Sequence, residues 1–413
     1  MKICMISYHT CPLASQEGKE TGGMNVYVLE LAKALARMGH QVDVFTRCQD
    51  PTNEMIVPVI HNMRVFHILG GPAAVLSKKE MLKYMDEFEE RVHNYIVKEG
   101  IVYDVLHAHY YMSGIIAVNL QKHLHQKNHL PLVMTFHTLA LMKNLVARAD
   151  LEVEDMIRID IERDLVKKAD RVITPSQSDA SYLEYFYQAD PQKLDILPPG
   201  VDTKIFKPIS KAKARHEVQA DPQKKLVLFV GRIEPLKGVD MLIYAMKILS
   251  LRKPELPLNL WIVGGDISQP VELWSAELQK LEQLRKVLGI PSLVRFVGQQ
   301  KQDQLPNYYN AADVVVMPSH YESFGMAALE AMSCGVPVIT TNVAGISGLL
   351  DDQRQELITT VNNPLLLAKQ LGHLLTHEQT HSAVSSKLQK IGVALEWAKV
   401  AEKALNIYKK ASK

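Results

Sequence analysis

Short unbroken runs of apolar residues alternate along this chain with longer stretches in which apolar positions recur every three or four residues. The first pattern predicts buried strands and the second amphipathic helices. Lys2–Ser7 and Gln41–Thr46 read as strands. Between them, a helix starting near Asn25 puts Val28, Leu31, Ala32 and Leu35 on one face before Gly39 stops it. Further strands are predicted at Val65–Ile68, Val102–His107, Pro131–Phe136, Leu194–Leu197, Lys225–Val230, Leu258–Val263, Leu293–Val297, Ala311–Met317 and Pro337–Thr341. Helices are predicted at Lys78–Lys98, Glu154–Lys168, Val239–Leu249 and Met326–Ser333. From Pro364 the pattern is helical to the end, the last helix being Trp397–Lys410. Strands that alternate with helices predict an α/β class with parallel sheets.

The pattern also repeats itself. Ala169-Asp170 opens an apolar run that closes at Pro175-Ser176, and Ala312-Asp313 opens another that closes at Pro318-Ser319. The echo suggests two similar α/β units. Pro198-Pro199-Gly200 interrupts regular structure between them and suits a hinge. A length of 413 residues exceeds one ordinary core, which also predicts two domains. Their boundaries are expected at residues 1–200 and 201–395, with a final helix from about 396 to 413 that could cross back to the first domain.

Composition narrows the class. The chain is 47% hydrophobic and 22% charged, the profile of a globular enzyme. A formal charge of +2 offers no basic field for nucleic acid. Cys4, Cys11, Cys48 and Cys334 are scattered without a Cys-x-x-Cys pair, which points to a reducing, cytoplasmic compartment and away from a metal site. Only Ile3–Ile6 is apolar at the start, too short for a signal peptide, and no run approaches a membrane span.

Candidate chemistry gathers at predicted strand ends. Glu322 and Glu330 bracket seven residues that include Phe324, Gly325 and Met326. Glu322 falls in a strand-to-helix loop and Glu330 one to two turns into the helix. A Glu near a helix start is ordinary by itself, since it complements the helix dipole. Here the free N–H groups of the helix start also make an anion site at the carboxyl end of a strand. One carboxylate at the mouth and one along the wall suit a ligand with an anionic middle and hydroxyls at both ends, such as a nucleotide-sugar. Arg232 and Lys237 follow the strand Lys225–Val230; a planar fork beside a point charge suits a diphosphate. Gly264-Gly265 and Gly298 close two more strands, where backbone could lie against a base and ribose. Gly22 and Gly23 mark the entrance of the first helix, although the Gly-x-Gly-x-x-Gly dinucleotide fingerprint is absent. His107, His109 and Tyr110 follow one predicted strand, and His137 and Thr138 another. His123, His125 and His129 lack a carboxylate or Cys partner at rigid spacing and read as surface residues.

Four stretches together resemble the family-four retaining glycosyltransferases: Gly22 to Tyr27, Pro198 to Asp202, Gly231-Arg232 with Lys237-Gly238, and Glu322 to Glu330. The resemblance covers nearly the whole chain and implies the glycosyltransferase-B fold, two Rossmann-like domains facing across a cleft. It implies that Arg232 and Lys237 hold the donor diphosphate, that Glu330 binds the ribose, and that Glu322 with the backbone of Phe324, Gly325 and Met326 holds the donor sugar. Gly23 would border the diphosphate, Gly298 the base, and His137 would touch the sugar. Glu322 could act as nucleophile or as electrostatic support. The favoured family mechanism is front-face attack, with the donor phosphate taking the acceptor proton. With no Asp-x-Asp motif present, the family pattern implies a hexosyltransferase that needs no metal and no cofactor.

On the acceptor side, His107 to Tyr110 with Ser113-Gly114, and His137 to Leu139 with Lys143-Asn144, are similar to the inositol-phosphate N-acetylglucosaminyltransferases of mycothiol synthesis. The similarity implies a phosphate cradle of Lys78, Tyr110, Thr138 and Arg158, with Asn25 on an acceptor hydroxyl. Sucrose-phosphate synthases are related and also use a phosphorylated acceptor. This chain departs from the first group at Ala344-Gly345-Ile346-Ser347, where a Gly-Gly pair is usual. The expected partners are a UDP-sugar (UDP-GlcNAc or UDP-glucose) and inositol phosphate or a sugar phosphate. A homodimer is compatible with the resemblance. A lipid or polysaccharide acceptor at a membrane surface, a nucleotide-sugar epimerase and a non-catalytic sensor are the alternatives.

Overall fold

The structure is a computed structural model. It describes all residues except 15–21, 125–128, 148–152, 344 and 413, and no side chains in 351–355. Of the positions singled out above, His125 and Ala344 therefore lie outside the described residues. The chain divides into two compact units: Met1–Leu145, Ala149–Gly200 and Trp397–Lys413 form one, and Val201–Glu396 with Val146–Arg148 the other.

The first unit is built on an eight-stranded sheet of order β3-β4-β2-β1-β5-β6-β7-β8. Its strands are β1 (Lys2–Ile6), β2 (Gln41–Arg47), β3 (Ile56–Ile60), β4 (Met63–Ile68), β5 (Val105–His109), β6 (Leu132–Thr135), β7 (Arg171–Thr174) and β8 (Leu194–Ile196). Every pairing is parallel except β3 with β4. β3 escaped the sequence reading because Pro58 interrupts it and it lies at the sheet edge, where a missing N–H is tolerated. The order of strands reverses between β1 and β5, so the crevice beyond their carboxyl ends is the unit's topological switch point.

The second unit holds a six-stranded parallel sheet of order β11-β10-β9-β12-β13-β14. Its strands are β9 (Lys225–Val230), β10 (Leu258–Val263), β11 (Val294–Gly298), β12 (Val314–Met317), β13 (Val338–Thr341) and β14 (Ile358–Thr359). Leu226–Phe229 and Val314–Met317 are buried throughout, as expected of central strands covered on both faces. Here the switch point lies between β9 and β12.

The Ala-Asp echo has the same structural meaning in both units. Asp170 exchanges two bonds with Leu132, donating its N–H to the Leu132 carbonyl at 2.9 Å and accepting the Leu132 N–H on Oδ2 at 2.7 Å. Asp313 does the same with Leu226, at 2.8 and 2.6 Å. Each carboxylate satisfies an N–H at the start of a neighbouring strand, where the ladder has no partner for it.

Two expectations are corrected. Lys78–Lys98 is not one solvated helix. It breaks into Lys78–Met81, a 3-10 turn Leu82–Tyr84 and Met85–Lys98, and buries Met81, Met85, Phe88, Val92 and Ile96. His107 and His109 do not follow their strand but lie inside β5, because the strand starts three residues later than expected and runs to His109.

Candidate active site

In the second unit the site is assembled from two loops that touch. Arg232 follows β9, and the turn Pro235–Lys237 leads through Gly238 into helix Val239–Arg252. Gly238 has φ +64°, and a Cβ there would stand 2.1 Å from the Pro318 carbonyl oxygen, so only glycine lets the loops after β9 and β12 approach this closely. The His320 N–H donates to the Leu236 carbonyl at 2.8 Å and ties them. The contact brings Lys237 Nζ to 2.5 Å from Glu322 Oε2. Arg232 Nη1 lies 2.9 Å from Glu234 Oε1, with both side chains partly exposed.

Phe324 and Gly325 lead into helix Met326–Ser333, whose start no side chain caps. Ile346 N–H donates to the Phe324 carbonyl at 2.9 Å, and Gly345 packs so closely on Phe324 that a Cβ would meet its Cα at 2.3 Å. The loop is thus held from behind while the helix amides stay free of side-chain caps. Glu330 lies five residues into this helix and is buried. Tyr309 Oη donates to its Oε2 at 2.7 Å. Burial pushes the Glu330 carboxyl up to about 7, against the opposing pull of the Tyr309 and Gln302 donors. Gly298 ends β11 with φ +80°, and its carbonyl accepts the Gly264 N–H at 2.9 Å.

The first unit collects polar groups at its own switch point. Asn25 is buried in the first turn of helix Gly23–Arg37, and its amide donates to Thr10 Oγ1 at 2.7 Å and to the Cys11 carbonyl at 2.6 Å. Tyr110 leaves β5 with φ +76°, a strained conformation for a bulky residue. Arg158 stands 4.8 Å from the Tyr110 ring centroid and Lys78 Nζ 5.8 Å from it. Arg158 Nη2 donates to the Thr138 carbonyl and to Thr138 Oγ1, both at 3.1 Å. The structure therefore brings Lys78, Tyr110, Thr138 and Arg158 into one cluster from four separate segments.

His137 follows β6 with φ +61° and lies 3.0 Å, Nε2 to Nδ1, from His109. His107 is fixed more deeply, between Tyr408 Oη at 2.8 Å and Thr135 Oγ1 at 2.9 Å. Burial holds all three imidazoles well below their ordinary range, His107 and His137 at about 3. They are neutral at physiological pH and act as hydrogen-bonding groups. His123 and His129 are exposed, beside Glu89 and Asp170.

The sequence reading passed over Tyr309, Glu154 and Glu162. Nothing in the local pattern flags Tyr309. Glu154, Arg158 and Glu162 stand at successive four-residue intervals, and that spacing carried a signal for ion pairing on one helix face.

Paired parallel-sheet units with chemistry at each switch point mark the glycosyltransferase-B class, and the comparisons agree. Residues 21–205 match the model of "Glycosyltransferase Family 4", and residues 210–390 that of "Glycosyl transferases group 1". The D-inositol 3-phosphate glycosyltransferase of Corynebacterium efficiens is 33% identical over 415 residues, covering 100% of this chain and 96% of that protein. That of Salinispora tropica is 34% identical over 419 residues, covering 99% and 85%. Among solved structures, the sucrose-phosphate synthase of Thermosynechococcus elongatus aligns with a TM-score of 0.87 at 28% identity, over 99% of this chain and 98% of that one. Anabaena HepE, solved with UDP and glucose, aligns at 0.74 and 18% identity over 98% of each chain, which shows the fold alone. The chain belongs to the family-four glycosyltransferases and is a hexosyltransferase of the glycosyltransferase-B fold. Among the described residues, no helix is long and apolar enough to cross a membrane.

Proposed function

We propose that this enzyme moves a sugar, with retention at its anomeric carbon, from a UDP-sugar to a hydroxyl of a small phosphorylated acceptor such as inositol phosphate or a sugar phosphate. The observation that carries the acceptor class is the cluster of Lys78, Tyr110, Thr138 and Arg158. Two cations over one Tyr ring, with the Thr138 hydroxyl accepting from one of them, fit a phosphate better than a neutral sugar. The names of the relatives point the same way.

In this reading the second unit holds the donor. Arg232 and Lys237 grip the diphosphate, the uncapped start of helix Met326–Ser333 adds its amides, and Glu330 accepts from the ribose hydroxyls. Glu322 and the backbone of Phe324, Gly325 and Met326 hold the sugar. Gly298 gives the base access to backbone. The resemblance adds Gly23 and His137 to the donor contacts and Asn25 to an acceptor hydroxyl. The bond from the anomeric carbon to the diphosphate breaks as the acceptor oxygen bonds on the same face. The acceptor proton passes to the departing phosphate oxygen, and Lys237 and Arg232 offset the charge left on it. Because two side-chain cations carry that charge, turnover is independent of divalent metal. The Lys237–Glu322 pair loosens as the diphosphate arrives, which frees Glu322 for the sugar.

The test is a matrix of nucleotide-sugars against acceptors with and without their phosphate, in EDTA, with product mass and anomeric configuration read by mass spectrometry and NMR. The reading expects one α-linked product that requires the acceptor's phosphate. Equal turnover of the dephosphorylated acceptors, or conversion of the donor with no acceptor present, contradicts it.

A further inference from the structure

Arg158 meets two carboxylates of unlike character. Glu162 is fully enclosed: Oε1 accepts from Arg158 Nε at 2.8 Å, and Oε2 accepts from Ala140 N at 3.0 Å and Tyr187 Oη at 2.8 Å. Both oxygens are committed. Glu154 instead keeps 20% exposure, and one oxygen, Oε1, meets both Lys143 Nζ and Arg158 Nη1, the latter at 2.8 Å. Arg158 Nη1 is buried and makes no hydrogen bond among the described residues, so that contact is an ion pair without hydrogen-bond geometry. Burial alone would raise the Glu154 carboxyl, but Arg158 and Lys143 outweigh it and hold it at about 2. Glu154 is therefore charged at every physiological pH.

The main chain at Glu154 is fixed independently of that carboxylate. Asn144 Oδ1 accepts the Glu154 N–H at 2.7 Å, and Asn144 Nδ2 donates to the Glu154 carbonyl at 2.9 Å. The backbone is clamped, while among the described residues the carboxylate meets Lys143 and Arg158 through the single oxygen Oε1. Such a group can be exchanged for a better anion. A phosphate monoester brings more charge and more acceptor oxygens than a carboxylate, and a neutral hydroxyl brings neither.

We propose that Glu154 is a specificity-determining internal counter-ion: it occupies Arg158 and Lys143 until a ligand phosphate displaces it, and so excludes acceptors that carry no strong anion. The inference rests on the phosphate-acceptor reading above and adds two residues to it. Glu154 sets the threshold, and Lys143 becomes a phosphate contact once released.

The test compares Glu154→Gln with the unaltered enzyme, using inorganic phosphate as inhibitor competing with the acceptor. Gln keeps the length of the side chain and the Asn144 clamp, because that clamp is to backbone. Phosphate is expected to bind about tenfold more tightly, since its rival charge is gone, and the acceptor KM to fall in parallel. Calorimetric melting reports whether the variant is folded. If Glu154→Gln does not fold, Glu154→Asp gives the same test. Its charge is retained but withdrawn by one methylene, and a gain of about threefold is expected. Unchanged or weaker phosphate binding in the folded variant overturns the proposal. Arg158→Lys separates the two levels. If phosphate binding survives that substitution undiminished, the acceptor reading falls and this inference with it. If Arg158→Lys loses phosphate while Glu154→Gln gains nothing, only the counter-ion role falls.

Discussion

The two units solve the same problem in opposite ways. In the second, the charges are partly open to solvent and stand on short loops, with Arg232 beside Glu234 and Lys237 beside Glu322, and glycines fix the geometry. In the first, Arg158 is 4% exposed and depends on a fully enclosed Glu162, on Thr138 and on two aromatic rings. An ion pair that still reaches solvent contributes less to folding than an enclosed one, and a ligand can rearrange it at smaller cost. A buried one is costly to break, because one partner is left charged and unpaired. The difference predicts that substitutions in the second unit damage turnover and spare stability, whereas those in the first damage both.

The largest effect is expected at Arg158. Arg158→Ala strands Glu162 and should cost about 3–5 kcal/mol, a fall in Tm on the order of 10 °C by calorimetry, together with loss of acceptor binding. A stable Arg158→Ala protein would break the contrast at once. Lys237→Ala comes next. It should lower kcat by about a hundred- to a thousandfold while Tm stays within a degree or two, because it removes charge stabilisation at the departing diphosphate but no buried partner.

Glu330 sharpens the comparison, since it is a buried carboxylate at the second unit's otherwise more open site. Its folded pKa is raised to about 7, so its contribution to stability is fully present below the unfolded carboxylate value of about 4.3 and is lost as pH rises through 7. Ribose hydroxyls donate to the ionised form, so UDP affinity should strengthen as pH rises from 6 to 8, with proton release on binding. In Glu330→Gln both trends should flatten, and Tm at pH 8 should rise while UDP affinity falls. Tyr309→Phe removes the donor that favours ionisation, and should move the midpoint of the affinity profile upward. An unmoved midpoint contradicts the role given to that hydrogen bond. The smallest effect belongs to His123, 61% exposed beside Glu89: His123→Ala should change stability by less than about 0.5 kcal/mol.

The same contrast explains what could be read from the chain. The second unit's site is local in sequence. Gly231 to Gly238 form one strand-to-helix loop, and Glu322 to Glu330 run from another such loop into its helix, so spacing alone placed their residues at or just beyond strand ends. Gly238 and Gly345 showed only as glycines; their reason, an approach to Pro318 and Phe324 that no Cβ would allow, lies in tertiary contacts. The first unit's site draws on residues 78, 110, 138 and 158, and no pattern in one segment announces the others. Resemblance named those four, and the parallel register that pairs His109 of β5 with Thr135 of β6 sends the segments carrying Tyr110 and Thr138 out from neighbouring strands. The neutral histidines were harder still. His107 and His109 alternate with apolar residues inside β5, so a polar stripe in a buried strand looked like a strand end. Tyr309 could not be found from sequence, because its partner Glu330 lies 21 residues away in another helix.

A crossed titration tests the division of labour most directly. Calorimetry would measure UDP and inositol phosphate against Arg158→Lys and Lys237→Ala in parallel. Arg158→Lys keeps the charge that Glu162 needs but loses the planar fork. The account predicts that it weakens inositol phosphate at least about tenfold and leaves UDP within about twofold, while Lys237→Ala does the reverse. Equal loss of both ligands in either variant, or loss of neither, would contradict it.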